Sequence, residues 1–236
     1  LTTELFILTA VAVAIASLVQ GSTGMGFALI VAPIVGIYAP SLLPVMLLIL
    51  MLPLNAYVVW RERHALDLHG AGWITAGRIA GTVVGFWVLI AVPASGLSIL
   101  IGVSTIAAAL ASLLVPAFTA GRTALIAVGA VTGVTETATG IGGPPLVLAY
   151  QHRPAPVLRS TVAFCFLVGE ILSLVLLGVT GKVTGEQVSM AVFLLPALAV
   201  GALVSAAIHH RLSGRRMRTI VLSFALVSGI AVLVHG

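Results

Sequence analysis

The chain has 236 residues, of which 60% are hydrophobic and 7% charged, with a mean hydropathy of +1.24. Soluble domains carry about 25% charged residues, so a soluble enzyme or binding module is excluded and an all-α integral membrane protein is expected. The net charge of +5 comes mostly from arginines spread through short loops, without the clustered basic surface of a nucleic-acid binder, so no nucleic-acid partner is expected.

Spanning helices need about 20 apolar residues each. In chain order the apolar runs cover residues 3–20, 26–38, 41–60, 71–92, 96–115, 123–135, 143–151, 157–179, 187–209 and 219–234. Leu1 to Glu4 lack the basic region that opens a secretory signal, so the first run is expected to be mature structure. Runs 26–38, 123–135 and 143–151 are too short to cross a bilayer, and glycine-rich breaks join them to their neighbours. The first break is Gly21-Ser22-Thr23-Gly24-Met25-Gly26, and the second runs from Thr137 to Pro145. Irregular backbone at membrane depth is tolerated only where protein or a water-filled cavity satisfies its polar groups, so both breaks point to a buried site.

A shift of 116 residues superposes Thr23 on Thr139, Gly24 on Gly140, Gly26 on Gly142, Val31 on Val147 and Pro40 on Pro156. A shift near 120 places Gly81 on Gly201 and Val84 on Val204. The chain therefore reads as an internal duplication, residues 1–120 and 121–236, which together form one transport domain. Paired interrupted segments are the best sequence pointer to a transporter's site.

Charge decides how the broken runs sit. If each is a re-entrant hairpin, each repeat has three further crossings. One side then receives Arg61, Arg63, Arg122, Arg153, Arg159, Arg211, Arg215, Arg216 and Arg218, and the other receives Lys182 alone. If each were a single crossing, Arg61, Arg63, Arg122 and Lys182 would face away from the other six. The hairpin arrangement satisfies the positive-inside rule better, makes the Arg-rich side cytoplasmic, and gives inverted repeats with both termini outside.

A helix that begins at mid-membrane offers backbone N–H groups and the positive end of its dipole, which suit an anion. Gly24, Gly26, Gly140, Gly142 and Gly143 allow close backbone approach, and Pro144 and Pro145 suit a first helical turn. Ser22, Thr23, Thr137 and Thr139 add hydroxyls beside each start. The bland alternative is that these small residues only let helices pack closely.

Ionisable groups inside a membrane run are functional candidates by default. Glu136 lies at the second break, opposite Gln20 in the first copy, and Glu170 sits deep in its run. Burial favours a carboxyl's neutral form, so both are candidate proton-coupling groups. Arg78 joins the anion-contact candidates, with snorkelling to the headgroups as its alternative. Asn55 reads equally as a lining residue or as interhelical glue. His64, His69, His152, His209, His210 and His235 fall at run ends without metal spacing and read as interfacial, and the basic stretch from His209 to Arg218 suits anionic lipid. Trp60 and Trp73 read as interface anchors. Cys165 is a lone cysteine in an apolar run, so no disulfide is expected, and neither a metal nor another cofactor is expected.

The segment Gly21 to Phe27, the later Gly140-Ile141-Gly142-Gly143-Pro144-Pro145, Arg159-Ser160-Thr161, and Arg63-His64-Ala65-Leu66-Asp67 resemble the TauE/SafE sulfite exporter family over nearly the whole chain. The resemblance implies a multi-pass protein of a bacterial or archaeal inner membrane, built of two repeats, that moves sulfite, organosulfonates or related sulfur anions. The chain departs from internal symmetry where Phe27 stands opposite Gly143 and Pro33 opposite Ala149, which makes the half-sites unequal.

The reading is a secondary transporter of small sulfur-containing anions, working by alternating access and coupled to protons. Without a Walker motif, ATP is not expected to drive it directly. The alternatives are a passive anion channel and a membrane-embedded enzyme, which would need a nucleophile pair or metal cluster not visible in the sequence.

Overall fold

Two glycines, Gly24 and Gly140, end the opening helix of each half with φ of 83° and 81°. This left-handed conformation costs a residue without a Cβ little. The computed structural model describes residues 3–93, 96–116, 119–208 and 214–235, without the side chains of 214–216. Among them are ten α-helices: α1 (Thr3–Thr23), α2 (Phe27–Tyr38), α3 (Val45–Glu62), α4 (Leu68–Ala91), α5 (Leu97–Leu114), α6 (Arg122–Thr139), α7 (Gly143–Tyr150), α8 (Ala155–Val179), α9 (Gly185–Ile208) and α10 (Gly214–His235). No strand occurs among the described residues. A long helix, a break, a shorter helix and three long helices follow one another twice.

Seven described helices, α1, α3, α4, α5, α8, α9 and α10, are long and apolar enough to cross a membrane. The protein is a multi-pass membrane protein, with Ile79, Val83, Trp87, Val175, Phe193, Val200 and Leu203 among the large apolar side chains exposed on its flanks. α6 matches α5 at 18 residues but carries Arg122, Glu136 and five threonines, and so is less apolar.

The helices pack in matched pairs. α4 lies on α6 and its counterpart α9 on α1, α3 meets α8, and α5 meets α10. Close backbone approach explains the first contact. A Cβ at Gly77, Gly81 or Gly85 would strike the backbone of Ile126, Ala130 or Val134, and Gly129 and Gly133 face α4 in the same way. Across α1 and α9, a Cβ at Gly201 would strike the Ala14 carbonyl. The correspondence of Gly81 with Gly201 therefore marks two equivalent close contacts, each between a helix of one half and the first helix of the other.

α2 runs back along α1. Leu5 and Thr9 line one groove with Val35 and Tyr38, while Val19 abuts the Cβ position of Gly26. The open end of this hairpin lies beside the start of α9, where Gln187 Nε2 donates to the Ser41 carbonyl at 2.8 Å. α6 and α7 fold back likewise, with their open end at the start of α4. There Arg122 stacks 3.8 Å from the Trp73 ring centre and the Tyr150 hydroxyl donates to Asp67 at 3.0 Å. The two hairpins therefore enter the bundle from opposite ends.

The basic residues gather at the second of these ends. Arg159 grips both Glu62 oxygens through Nε at 3.0 Å and Nη2 at 2.8 Å, and Arg61 Nη2 donates to the Gly21 carbonyl at 2.8 Å. Arg218 donates to Gln151 at 2.7 Å. His64, His69, His152 and His235 are exposed. His209, His210 and Arg211 lie outside the described residues, as do the side chains of Arg215 and Arg216, so the basic stretch expected to meet lipid is described only from Met217 onward.

Candidate functional site

The two breaks are built alike. The amide of Gly24 bonds back to the Gln20 carbonyl at 2.8 Å, and that of Gly140 to the Glu136 carbonyl at 2.7 Å. The Thr23 hydroxyl donates to Val19 at 2.9 Å and accepts the Met25 amide at 3.3 Å. Thr139 repeats this with Thr135 at 2.7 Å and Ile141 at 3.3 Å. Each hydroxyl thus satisfies a buried amide in its own break. Ser22 lies 3.1 Å from Ser205 of α9, and Thr137 lies 2.8 Å from Ser173 of α8. Those two hydroxyls bridge helices.

The glycines divide by constraint. Gly26 holds φ at 119°, whereas Gly142 has an ordinary φ of −126° and is limited by space, because a Cβ there would strike the Glu136 carboxylate and Thr132. At Gly143 a Cβ would find ordinary contacts, 3.6 Å from Phe166 and 3.7 Å from the Met25 Cβ. The second break therefore faces the first inside the bundle. Pro144 and Pro145 leave Gly143 the sole N–H donor in the first three positions of α7.

Between the breaks lies a buried polar tract. Arg78 and Glu136 are both fully buried and form an ion pair at 2.7 Å between α4 and α6. Arg78 does not snorkel. Its guanidinium fills the notch left by Gly169, where any side chain would collide with it. Nη2 of Arg78 and Oε1 of Glu136 satisfy one another, while Nε and Nη1 of Arg78 and Oε2 of Glu136 have no partner on the protein.

Beside Gly169, Glu170 Oε1 accepts from Asn55 Nδ2 at 2.6 Å, while its Oε2 has no partner on the protein. Asn55 Oδ1 accepts from Gln20 Nε2 at 3.4 Å, and Gln20 Oε1 accepts the first amide of α2, Phe27, at 3.2 Å. Glu136 and Gln20, which a shift of 116 residues superposes, therefore each stand at the start of a short helix, one as an acid and the other as an amide. The hydroxyls of Thr82 and Thr132 are also buried and unpartnered. Unsatisfied buried polar atoms are costly; some lie at the basic end on Arg61 and Gln151, and the rest belong to Arg78, Glu136, Glu170, Thr82 and Thr132. Such a cluster suits an acceptor from outside the chain. Among the described residues no group of His, Cys, Asp and Glu could hold a metal.

Sequence reasoning missed the ties at the basic end. Glu62 with Arg159, and Asp67 with Gly70, Tyr150 and Thr161, join α3, α4, α7 and α8 around the first break. Their only signal was that Arg63 to Asp67 and Arg159 to Thr161 belong to the segments carrying the family resemblance.

The sulfite exporter TauE/SafE family model matches residues 8–232. The chain belongs to the TauE/SafE family. Comparison with curated proteins and with solved structures gave no match. The family match spans both breaks of this TauE/SafE protein and every helix that supplies the buried tract. It accords with a membrane exporter of sulfite or related sulfur anions and with a transporter rather than an enzyme.

Proposed function

We propose that the protein is a secondary transporter of small sulfur-containing anions, with the anion held at Arg78 between two inverted repeats, residues 1–120 and 121–236. The observation that carries this reading is a buried guanidinium beside the second backbone break, whose Nε and Nη1 have no acceptor on the protein while Nη2 is held by Glu136. A planar guanidinium matches two oxygens of an S–O face. The Gly142 backbone lies beside its carboxylate partner, so an anion there meets the start of α7 as well. Glu136 is the proton-coupling group and Glu170 its neighbour. An anion that engages Arg78 displaces Glu136, whose carboxyl then takes a proton because like charges at one buried site repel. Rocking of one repeat against the other exposes the site to each side in turn.

Flux of sulfite and methanesulfonate into proteoliposomes across a pH series tests this. Wild type should transport with uptake weakening as pH rises, once sulfite's own titration is subtracted. Glu136→Gln should bind with little pH dependence yet fail at proton-driven transport, and Glu170→Gln should matter less. Full wild-type pH dependence in Glu136→Gln would move the coupling to Glu170. A voltage-driven current without proton movement would favour a passive channel.

The opposed entry of the two hairpins and the basic residues gathered at one end support an inverted topology with that end in the cytoplasm. Engineered cysteines near Lys182 should be labelled by an impermeant reagent outside intact cells, and cysteines near Arg153 should not. Labelling at Arg153 from outside would reverse the orientation.

A further inference from the structure

The charges buried with Arg78 restrict what the anion's own charge can be. Arg78 meets α6 and α8 directly, while α3 is reached through Glu170 and the start of α7 through Glu136. α6 brings Glu136 and α8 brings Glu170 and the buried thiol of Cys165. α3 offers the amide Asn55, and the one titratable side chain of α7, Tyr150, is turned to Asp67 at the basic end. The tract therefore holds one cation and two carboxyls. Uncompensated charge in a buried site is strongly unfavourable, so the resting tract is neutral when one carboxyl is ionised against Arg78 and the other carries a proton. The contacts fit this division. Glu136 touches the guanidinium, whereas Glu170 accepts from Asn55 through one oxygen and leaves the other free to carry the proton.

We propose that the site accepts singly charged anions, such as hydrogen sulfite or an alkanesulfonate, and takes up one proton with each. This rests on the reading of Arg78 as the anion's partner. A monoanion replaces the ionised carboxylate at the guanidinium, that carboxylate accepts a proton from water, and the tract stays neutral. A dianion leaves one negative charge uncompensated even with both carboxyls protonated, because no further group facing the site accepts a proton. Discrimination by charge thus arises from the count of buried ionisable groups, without a contact that reads the anion's size.

The experiment is calorimetric titration of purified protein with methanesulfonate and with sulfate, whose charges do not change across the working pH range, in two buffers of different protonation enthalpy. Sulfite titrated below and above its second ionisation supplies the same contrast within one ligand. Wild type should take up one proton per methanesulfonate or hydrogen sulfite bound. Doubly charged sulfate and sulfite should bind at least about tenfold more weakly. The double variant Glu136→Gln with Glu170→Gln should bind the monoanion with no proton uptake. The wild-type proton count tests the proposal even if that variant fails to fold. Sulfate binding as tightly as methanesulfonate, or monoanion binding without proton uptake in wild type, overturns the charge argument while leaving the transporter reading intact. Failure of all three anions to bind folded wild type removes the anion reading and this inference with it.

Discussion

Arg78→Met is expected to destabilise the protein by about 3–5 kcal/mol, because it leaves the fully buried Glu136 carboxylate without its partner. Glu136→Gln should be harmful for the converse reason. The combined change Arg78→Met with Glu136→Gln should recover most of the loss, since replacing a buried ion pair by neutral groups of similar volume is often close to neutral. Unfolding midpoints in detergent for the four proteins give the coupling between the two residues. Anion binding should separate the pair's structural role from its functional one, because the double variant regains stability without regaining affinity. A stable single variant would mean that the pair does not hold α4 on α6. Anion affinity retained in the double variant would remove Arg78 from the site.

Gly81→Ala should lower stability by about 1–3 kcal/mol, because the new methyl group meets the Ala130 carbonyl where α4 and α6 touch backbone to backbone. The same substitution at Gly72, an exposed position of the same helix with open space around it, should be neutral or stabilising by up to about 1 kcal/mol. Opposite signs for one chemical change on one helix isolate packing from helix propensity. Gly81 also lies three residues from Arg78, so prying α4 from α6 should weaken anion binding as well. Thermal unfolding and methanesulfonate titration of the two variants check both effects. Equal behaviour at the two positions would show that the glycine contact contributes nothing.

Much of the architecture is legible without coordinates because hydropathy, glycine and charge act locally. A run of about 20 apolar residues has one stable option in a bilayer. Thus α1, α3, α4, α5, α8, α9 and α10 follow from composition, and the breaks at Gly24 and Gly140 from glycine. The limits of α4 were less legible, because its start is set by the Asp67 side chain accepting the Gly70 amide at 2.9 Å, three residues before the apolar run begins. Glu136, Glu170 and Arg78 stood out because charge in an apolar run is expensive wherever it points.

Which partner each of them takes was beyond the sequence. Arg78 and Glu136 are 58 positions apart, and their meeting depends on glycines that let α4 and α6 approach closely, with Gly169 leaving room for the guanidinium. Asn55 became a link between Gln20 and Glu170 only when α3 packed on α8. The hydroxyls beside the breaks show the other side of this dependence. Residue type marked Ser22, Thr23, Thr137 and Thr139 as hydroxyl donors, and the fold supplies each with a partner the sequence did not show, a helical carbonyl or a neighbouring serine. Local chemistry determined which groups this chain buries at a cost, and tertiary packing alone decided which of them are satisfied and which are left without a partner on the protein, because satisfaction is set by atoms distant in sequence.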